Sequence, residues 1–506
     1  MYINILQYLK QSAEKMPSKQ AFIDENGSVT FAQIQEMAQR LGSYLGKIAR
    51  PKTPVLVLME KSRFVPACFM GVVAAGCFYV PIDADLPDYR LNLILDTIGS
   101  DVMITDEKTS AKVSRLNFSG RVILAQEAFC APIDHALLAS IEENHTDTDA
   151  LYVVFTSGST GTPKGVVTTH RAVIDLMEAM ACAFDLGEDE IFGNQAPFDY
   201  DGSVKDIYNT LKHGATTYII PRPYFSFPKM LMDCLNEQKI TTLFWAVSAV
   251  CVPVNLGALE YAVPKHLKRI LYSGAVMPNK HLMTWQQYCP EVMYVNLYGP
   301  TESTCNCTYH IIGHAVTLEE RMPIGKPFRN TEILLLDQEG KTPARGEMGE
   351  ICVKGSSIAL GYYNNPEKTS EVFVQNPLNA SYPEIIYKTG DLGSYGEEGL
   401  LLFHGREDSQ IKHMGHRIEL GEIETVVSSM DSVNDAVCIY DAANSAIVLF
   451  FTGEGADRKT VALNLRAHLP KYMLPARFVH MDAFPRKLNG KVDRQALKEQ
   501  YLAQQS

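Results

Sequence analysis

The sequence lacks the features that would take a chain to or across a membrane. No apolar run approaches the eighteen uninterrupted residues of a membrane-spanning helix. The first residues, MYINILQYLKQSAEK, have neither the basic start nor the long apolar core of a secretory signal peptide, and their pattern predicts an amphipathic helix. We therefore expect no membrane span.

The sequence also has fewer positively charged than negatively charged residues. Lys and Arg number 46 against 58 Asp and Glu, which gives a net charge of −12. This excess of negative charge argues against non-specific binding to nucleic acids or anionic membranes. We expect no nucleic-acid partner, although the charge balance leaves room for a local basic patch that binds an acidic partner.

Cysteine pairing is absent as well. The eleven cysteines are an odd number scattered through 506 residues, which argues against a disulfide framework and predicts the reduced thiols of a cytoplasmic protein. The stretch CNC at 305–307 has no second cysteine pair elsewhere in the chain. Its spacing therefore does not favour a metal site.

What the chain has is a regular alternation of apolar runs with helix-like segments. Strand-like runs occur at 55–59, 78–80, 102–104, 122–124, 151–155, 217–220, 242–245, 270–272 and 293–297. This alternation predicts an α/β fold built from βαβ units with largely parallel sheets. From about residue 322, short runs broken by turn residues predict a β-rich, antiparallel subdomain.

The chain is also longer than a single hydrophobic core supports, so we expect at least two domains. A polar, turn-rich stretch, GREDSQIKHMGHRIELGEIE at 405–424, precedes a compact pattern of helices and strands. We therefore predict a large N-terminal domain over residues 1–407 and a small α+β domain over residues 408–506.

The stretch FTSGSTGTPKG at 155–165 follows one of the predicted strands. Its glycines allow close approach of the backbone to an anion, its hydroxyls add hydrogen-bond donors, and Lys164 adds positive charge. A mobile surface turn is the alternative. The spacing differs from the G-x-x-x-x-G-K-[ST] phosphate loop of nucleotide-hydrolysing enzymes. We therefore expect phosphate binding of another kind.

Several motifs occur in a fixed order along nearly the whole chain. They are FYVPIDADLP (78–87), FTSGSTGTPKG, FDYDGSVKDIY (198–208), NLYGPTE (296–302), GEICVKGSSIALGYYN (349–364), YKTGD (387–391), GREDSQIK (405–412), LPKYMLP (469–475) and KLNGKVDR (487–494). In this order they resemble the acyl-adenylate-forming (AMP-binding) enzymes. The resemblance extends to stand-alone amino-acid adenylation domains of non-ribosomal peptide synthesis and to D-alanine–carrier protein ligases. Those ligases typically carry Cys-Gly-Glu where this chain has Ser273-Gly274-Ala275, which weakens D-alanine as the substrate.

The resemblance implies ATP and Mg²⁺ as cofactors, with Glu302 as the metal ligand. Thr301 would contact the α-phosphate, Tyr298 would stack on adenine, and Asp391 with Arg406 would hold the ribose. From the residues alone, Glu302 and Asp391 could also be ordinary carboxylates of turns or helix starts. The full set of implied ATP-binding residues is Thr156, Ser157, Gly158, Ser159, Thr160, Gly161, Lys164, Gly274, Ala275, Asn296, Tyr298, Gly299, Asp391 and Arg406.

Members of this family move the small C-terminal domain between two half-reactions. By resemblance, Lys491 joins Glu302 and Thr301 as a catalytic residue during adenylation, and Asp408 is the hinge. Fifteen residues follow Lys491 (506 − 491 = 15). We therefore expect a stand-alone enzyme that charges the phosphopantetheine arm of a separate carrier protein.

The substrate pocket follows from the same motifs. Asp201 takes the position at which amino-acid-activating members pair with the substrate ammonium, although Asp201 or Ser203 could instead cap a helix. Lys205 could meet an acidic substrate side chain or extend into solvent. Leu271, Ser273 and Leu297 resemble the pockets of family members that take small residues such as serine or alanine, which favours a small neutral amino acid. The implied pocket residues are Asp201, Gly202, Lys205, Phe244, Leu271, Ser273, Leu297, Cys305 and Asn306.

These observations together predict ATP-dependent activation of an amino acid followed by transfer to a carrier protein. Two alternatives remain: an acyl- or aryl-CoA ligase of the same fold, and a ligand sensor without catalysis. Asp201 argues against the first, because a CoA ligase has no ammonium to bind. The joint presence of Lys164, Glu302, Asp391 and Lys491 argues against the second.

Overall fold

A computed structural model describes residues 2–158, 161–406, 410–442, 444–486 and 492–503. Contacts divide the chain into two compact units. The first comprises residues 1–84, 97–155 and 165–407, and the second comprises 85–96, 156–164 and 408–506. The domain division predicted from the sequence also changes at 408, but it placed 85–96 and the glycine-rich loop in the first domain.

A nine-stranded sheet forms much of the first unit in the described part of the chain. In the central part of this sheet, from Gln20–Asp24 across to Met293–Tyr298, every pair of neighbouring strands is parallel. The strand pairs at both edges of the sheet are antiparallel. The strands follow the order Lys326–Pro327, Thr308–Ile312, Met293–Tyr298, Arg269–Ser273, Thr242–Ala246, Ile191–Asn194, Thr216–Ile219, Gln20–Asp24 and Gly27–Thr30.

A second sheet has seven strands within the described ranges, and four of its strand pairs are parallel. Their order is Gly361–Tyr362, Lys164–Thr169, Ala150–Thr156, Phe78–Ile82, Pro54–Leu58, Val102–Thr105 and Arg121–Leu124. The α/β class predicted from the alternating runs is therefore confirmed. The glycine-rich loop differs in one respect from the prediction, because its last residues already begin the strand Lys164–Thr169.

Antiparallel pairing predominates after about residue 322, where the sequence changes to short apolar runs broken by turn residues. Among the described residues a five-stranded antiparallel sheet comprises Thr331–Leu336, Gly349–Gly355, Ile385–Tyr395, Phe373–Gln375 and Leu401–Arg406. The β-rich subdomain is confirmed by this sheet.

Several helices of the first unit begin at a residue whose side chain caps the helix. Thr30 and Gln33 form a capping box on the helix Phe31–Leu45, and the Thr169 hydroxyl accepts from the Ala172 N–H at the next long helix. The α-helices are Leu6–Lys15, Phe31–Leu45, Val65–Ala74, Ser110–Val113, Ala125–Ala128, His135–Glu143, His170–Phe184, Val204–His213, Pro228–Glu237, Val247–Asn255, Ala258–Tyr261, Asn279–Tyr288 and Pro366–Val372. Short 3₁₀ turns cover Asp201–Ser203, Arg222–Phe225 and Thr301–Ser303.

The second unit is a small α+β body with its own apolar core. Ile418, Ile423, Val461 and Leu465 pack together there and are fully buried. Its strands are Gln410–His413, His416–Glu419, Asp435–Asp441, Ala446–Thr452 and Arg477–His480. Its helices are Leu420–Ser428, Arg458–His468 and Arg494–Ala503, with a 3₁₀ turn at Lys471–Met473, and Asp88–Ile98 lies mainly in this unit.

No helix of the described chain is long and apolar enough to cross a membrane. Each of the eleven cysteines is a free thiol, as the scattered cysteine pattern predicts.

Candidate active site

The glycine-rich loop is shaped by a close approach of its own backbone. A Cβ atom on Gly158 would lie 2.0 Å from the carbonyl oxygen of Thr162, so only glycine fits at this position. The Oγ1 atom of Thr156 is buried and has no hydrogen-bond partner among the residues that the structure describes. A phosphate oxygen would satisfy this orphaned donor.

Two further loop residues contact the strand His416–Glu419 within the second unit. The Ser157 hydroxyl donates to the carbonyl oxygen of Arg417 at 2.5 Å and accepts from the N–H of Glu419 at 3.3 Å. The ammonium of Lys164 lies 3.6 Å from a carboxylate oxygen of Glu419. Lys164 thus binds an anionic oxygen here, which is the kind of group that its predicted phosphate contact requires. Glu419 was not singled out by sequence reasoning.

Four predicted site residues lie outside the described ranges. They are Ser159 and Thr160 of the loop, the hinge residue Asp408 and the catalytic residue Lys491. Their roles stay predictions. Gly161, also in the loop, has φ +84°, a backbone conformation that favours glycine.

The YGPTE segment follows the strand Met293–Tyr298, as predicted, and buries its acidic residue. Glu302 is inaccessible to solvent, and one of its carboxylate oxygens accepts from the Tyr362 hydroxyl at 2.6 Å. Thr301 beside it is also buried. Sequence reasoning missed Tyr362, although this residue lies in the quoted motif GEICVKGSSIALGYYN. Only the fold shows which tyrosine of that motif reaches Glu302.

The donor set at Glu302 fits a Mg²⁺ ion that is shared with a phosphate. No group of three or more His, Cys, Asp or Glu side chains suited to a metal is present in the described part of the chain. Mg²⁺ is commonly held by one or two carboxylates together with substrate phosphates and water. One buried carboxylate matches that pattern, whereas an all-protein cage would need more ligands.

Asp391 forms hydrogen bonds with residues of two other sequence motifs. One of its carboxylate oxygens accepts from the Tyr298 hydroxyl at 2.5 Å, and the other accepts from the Arg406 guanidinium at 2.5 Å. Asp391 and Arg406 are direct partners in the sheet register, and Asp391 is buried. The carboxylate is therefore held rigidly beside the YGPTE segment, where two ribose hydroxyls could replace or share its hydrogen bonds. Stacking of the Tyr298 ring on adenine stays a prediction.

The remaining implied ATP residues have separate environments. The Asn296 amide donates to the carbonyl oxygen of Pro323 at 2.8 Å, Gly274 has φ +90°, and Ala275 is exposed. Gly299 has a structural role, since a Cβ there would lie 2.5 Å from the Cα of Asn306. The YGPTE segment therefore packs directly on the backbone of the predicted pocket.

Asp201 is buried and lies within a 3₁₀ turn, not at an N-cap position. It is 4% exposed, and neither the turn Asp201–Ser203 nor the helix Val204–His213 has a side-chain cap hydrogen bond. The Ser203 hydroxyl donates instead to the carbonyl oxygen of Tyr200 at 2.8 Å. The prediction that Ser203 caps the helix with its side chain is therefore wrong, and Asp201 does not occupy the N-cap position.

Two tyrosines lie near both Asp201 and Cys305. Burial raises the pKa of Tyr152 and of Tyr200 well above the usual value, and electrostatic interactions with Asp201 and with Cys305 both add to the rise. Asp201 and Cys305 therefore lie within electrostatic range of the same two phenols. Gly202 leaves space for one of them, because a Cβ at Gly202 would lie 2.6 Å from the Tyr200 ring.

Lys205 points into the protein. It is 2% exposed, so the prediction that it could extend into solvent is wrong. Its ammonium donates to the Asn306 side-chain oxygen at 3.0 Å and to the Cys305 sulfur at 3.2 Å. Cys305 has φ +74° and follows Thr304 with φ +53°, a left-handed pair that costs conformational energy for residues other than glycine.

The other predicted pocket residues are mostly apolar and buried. Phe244, Leu271, Leu297 and Cys305 belong to one apolar cluster in the first unit, and Ser273 is half-buried. The structure thus combines apolar walls with a polar group formed by Lys205 and Asn306.

A buried carboxylate, Asp206, follows Lys205 on the same helix. One Asp206 oxygen accepts from the Asn194 amide at 2.8 Å, and the residue is inaccessible to solvent. Burial raises the pKa of Asp206 from 3.8 to about 7. Because the folded protein keeps this proton to higher pH than the unfolded chain, the contribution of Asp206 to stability falls as pH rises from about 4 to about 7.

We expect Asp206→Asn to remove that dependence. As pH rises across this range, the free energy of unfolding of the variant should increase relative to that of the wild type. The total change should be on the order of 1–4 kcal/mol. Denaturant unfolding of both proteins at several pH values between about 4.5 and 7.5 measures the difference. A difference that stays constant with pH would contradict the raised pKa.

The sequence is similar to a known protein family and to curated proteins. A family profile described as "AMP-binding enzyme" matches residues 9–363. Tyrocidine synthase 1 from Brevibacillus parabrevis is 31% identical over 502 residues, covering 98% of this chain and 45% of that protein. Tyrocidine synthase 2 from the same organism is 31% identical over 525 residues, covering 99% of this chain and 14% of that protein. The chain thus spans less than half the length of these curated relatives.

Solved structures share the fold. A holo NRPS protein containing adenylation and PCP domains, bound to a vinylsulfonamide inhibitor, superposes with a TM-score of 0.81 at 25% identity and covers 99% of this chain and 84% of that one. An o-succinylbenzoate CoA synthetase from Bacillus subtilis gives a TM-score of 0.83 at 21% identity, covering 98% of each chain. The second similarity shows a common fold only.

Proposed function

The chain belongs to the AMP-binding enzyme family, and on that premise we propose that it activates an amino acid as aminoacyl-AMP with release of pyrophosphate. In the second half-reaction, the phosphopantetheine thiol of a carrier protein attacks the aminoacyl-AMP, so that a thioester forms and AMP leaves. The similarity to a solved NRPS protein with adenylation and PCP domains supports the carrier as partner.

The observation that carries the amino-acid assignment is the burial of the Asp201 carboxylate at the position that the motif gives to the ammonium-binding residue. A carboxylate in a largely dry site is strongly stabilised when a cation pairs with it. A substrate ammonium supplies that cation, whereas a simple fatty or aryl acid does not. The same position therefore argues against a CoA ligase for such acids.

The chemistry requires a carboxylate oxygen of the amino acid to attack the α-phosphate of ATP. The new bond is the acyl–phosphate bond, and the bond that breaks joins the α- and β-phosphates, so pyrophosphate leaves. Asp391 and Arg406 would orient the ribose, and the glycine-rich loop with Thr156 and Lys164 would hold the departing phosphates. Mg²⁺ at Glu302 would neutralise charge on the phosphate oxygens.

The small C-terminal domain has a role in this proposal that rests on the family resemblance. Lys491 would contact the substrate carboxylate and the α-phosphate during adenylation. A rotation at Asp408 would then remove it and admit the carrier thiol, as rigid-body domain motions do in other enzymes.

Exchange of labelled pyrophosphate into ATP tests the proposal. We expect exchange that requires Mg²⁺ and a cognate member of a panel of all proteinogenic and common D-amino acids. If every amino acid fails while a carboxylic acid without an amine supports exchange, amino-acid activation is wrong. A parallel assay with CoA as acceptor would then identify the CoA-ligase alternative.

A further inference from the structure

The predicted substrate-binding residues include a buried ammonium that has no carboxylate partner at ion-pair distance. Lys205 is 2% exposed, and its side-chain contacts are the neutral oxygen of Asn306 and the sulfur of Cys305. No carboxylate of the described residues lies within ion-pair distance of it. Asp206 attracts it only at longer range, and adjacent helical residues do not face each other. A buried ammonium in this position is costly until an anion pairs with it.

Asn306 supplies a second donor at the same place. Its side-chain oxygen accepts from Lys205, so the amide cannot be turned around without placing its NH₂ group against an ammonium. The NH₂ group must therefore lie on the other side, and Nδ2 is buried without a hydrogen-bond partner in the described part of the structure. Asn306 itself is 1% exposed. A buried hydrogen-bond donor without a partner is unfavourable, so this amide requires an acceptor.

The two donors lie near the group proposed to bind the substrate ammonium. Asp201 and Cys305 both act on Tyr152 and Tyr200, and Cys305 contacts the Lys205 ammonium. One turn of helix separates Asp201 from Lys205. An amino acid with its ammonium at Asp201 would therefore have Lys205 and Asn306 within reach of its side chain.

We propose that the pocket selects an amino acid whose side chain ends in a carboxylate, held by the Lys205 ammonium and the Asn306 amide. This inference rests on the proposed activation of an amino acid. A carboxylate supplies both the negative charge that Lys205 lacks and the acceptor that the Asn306 amide lacks. A side-chain amide would supply only the acceptor, and a small neutral side chain would supply neither. The second polar anchor, which the sequence alone did not reveal, is the Asn306 amide.

The amino-acid panel in pyrophosphate exchange tests this directly with the wild-type enzyme. We expect kcat/KM for aspartate or glutamate, in one enantiomer, to exceed that for the matching amide and for alanine or serine by about 10²-fold. A preference for a neutral amino acid overturns the acidic pocket but leaves amino-acid activation intact. Failure of every amino acid, with exchange supported by a carboxylic acid that lacks an amine, overturns the proposed function itself.

Two variants test the residues, with the ratio of acidic to amide substrate as the readout. Lys205→Met should lower that ratio about 10²-fold. Asn306→Asp is isosteric and gives Lys205 an internal ion-pair partner, so it should fold and should also lower the ratio, because the new carboxylate repels the substrate carboxylate. Thermal unfolding checks that each variant is folded, and an unchanged ratio in folded Asn306→Asp contradicts the proposal.

Lys212→Met is the matched control. Lys212 lies on the same helix, and its ammonium contacts Glu178 in an ion pair away from the predicted pocket residues. Removing this charge should leave the ratio of acidic to amide substrate unchanged. A fall in the ratio equal to that in Lys205→Met would show that general loss of helix charge, not a pocket contact, sets the preference.

Discussion

Asp201→Ala is expected to raise the KM for the amino acid by about 10²–10³-fold while the KM for ATP changes little. The substrate ammonium would enter a largely dry site, and leaving one member of a buried ion pair alone costs roughly 3–5 kcal/mol. Asp201 is 4% exposed and lies among tyrosines whose burial raises their pKa, so water cannot replace it cheaply. Initial rates of pyrophosphate exchange at varied amino acid and varied ATP measure both constants.

Two further variants separate charge from shape and from surface effects. Asp201→Asn keeps the shape of the side chain and removes its charge, and we expect it to behave much like the alanine variant. Asp185→Asn removes the same charge from an exposed residue with φ +49°, a conformation that asparagine tolerates. This control should match the wild type. A selective rise in the KM for ATP with Asp201→Ala would instead place Asp201 at the nucleotide.

Glu302→Gln is expected to lower kcat/KM for adenylation by about 10²–10³-fold and to raise the Mg²⁺ concentration required for half-maximal exchange. The loss follows because one preorganised charge at a reacting centre contributes a factor of this size, and Mg²⁺ prefers a charged carboxylate to an amide oxygen. Glutamine keeps an oxygen that can accept from the Tyr362 hydroxyl, so the local packing should survive. Titration of exchange activity with Mg²⁺ measures the shift.

Tyr362→Phe and Glu260→Gln complete that experiment. Tyr362→Phe removes only the hydroxyl that orients Glu302, so its loss of activity should be smaller than that of Glu302→Gln. Glu260 is exposed at the short helix Ala258–Tyr261, and its change to glutamine should have no effect. If Glu302→Gln keeps the wild-type Mg²⁺ requirement, Glu302 is not the metal ligand.

The proposed acidic substrate differs from the small neutral substrate that the sequence favoured. From the sequence, Leu271, Ser273 and Leu297 pointed to a small pocket without a second polar anchor. Asn306 was among the predicted pocket residues, but its amide could not be recognised as an unsatisfied donor until its oxygen was found on Lys205. The difference arises because the hydrogen bonds of an amide side chain depend on where both its oxygen and its NH₂ group point, which the sequence does not show.

Local patterns in the sequence determined the elements of the fold. The apolar run at 55–59 became the strand Pro54–Leu58, and the run at 293–297 became the strand Met293–Tyr298. The order of short motifs also identified the family, and the YGPTE segment follows a strand as expected. These features rest on neighbouring residues, so periodicity and turn chemistry are enough to predict them.

Contacts between distant residues were decided only by the tertiary structure. Tyr298 and Asp391 are 93 residues apart, and Lys205 and Asn306 are 101 apart, yet each pair shares a hydrogen bond. No periodicity encodes such a pair, because the direction of each side chain depends on how sheets and helices pack around it. The left-handed backbone at Thr304 and Cys305 is held in the same way, against local preference and by the surrounding packing.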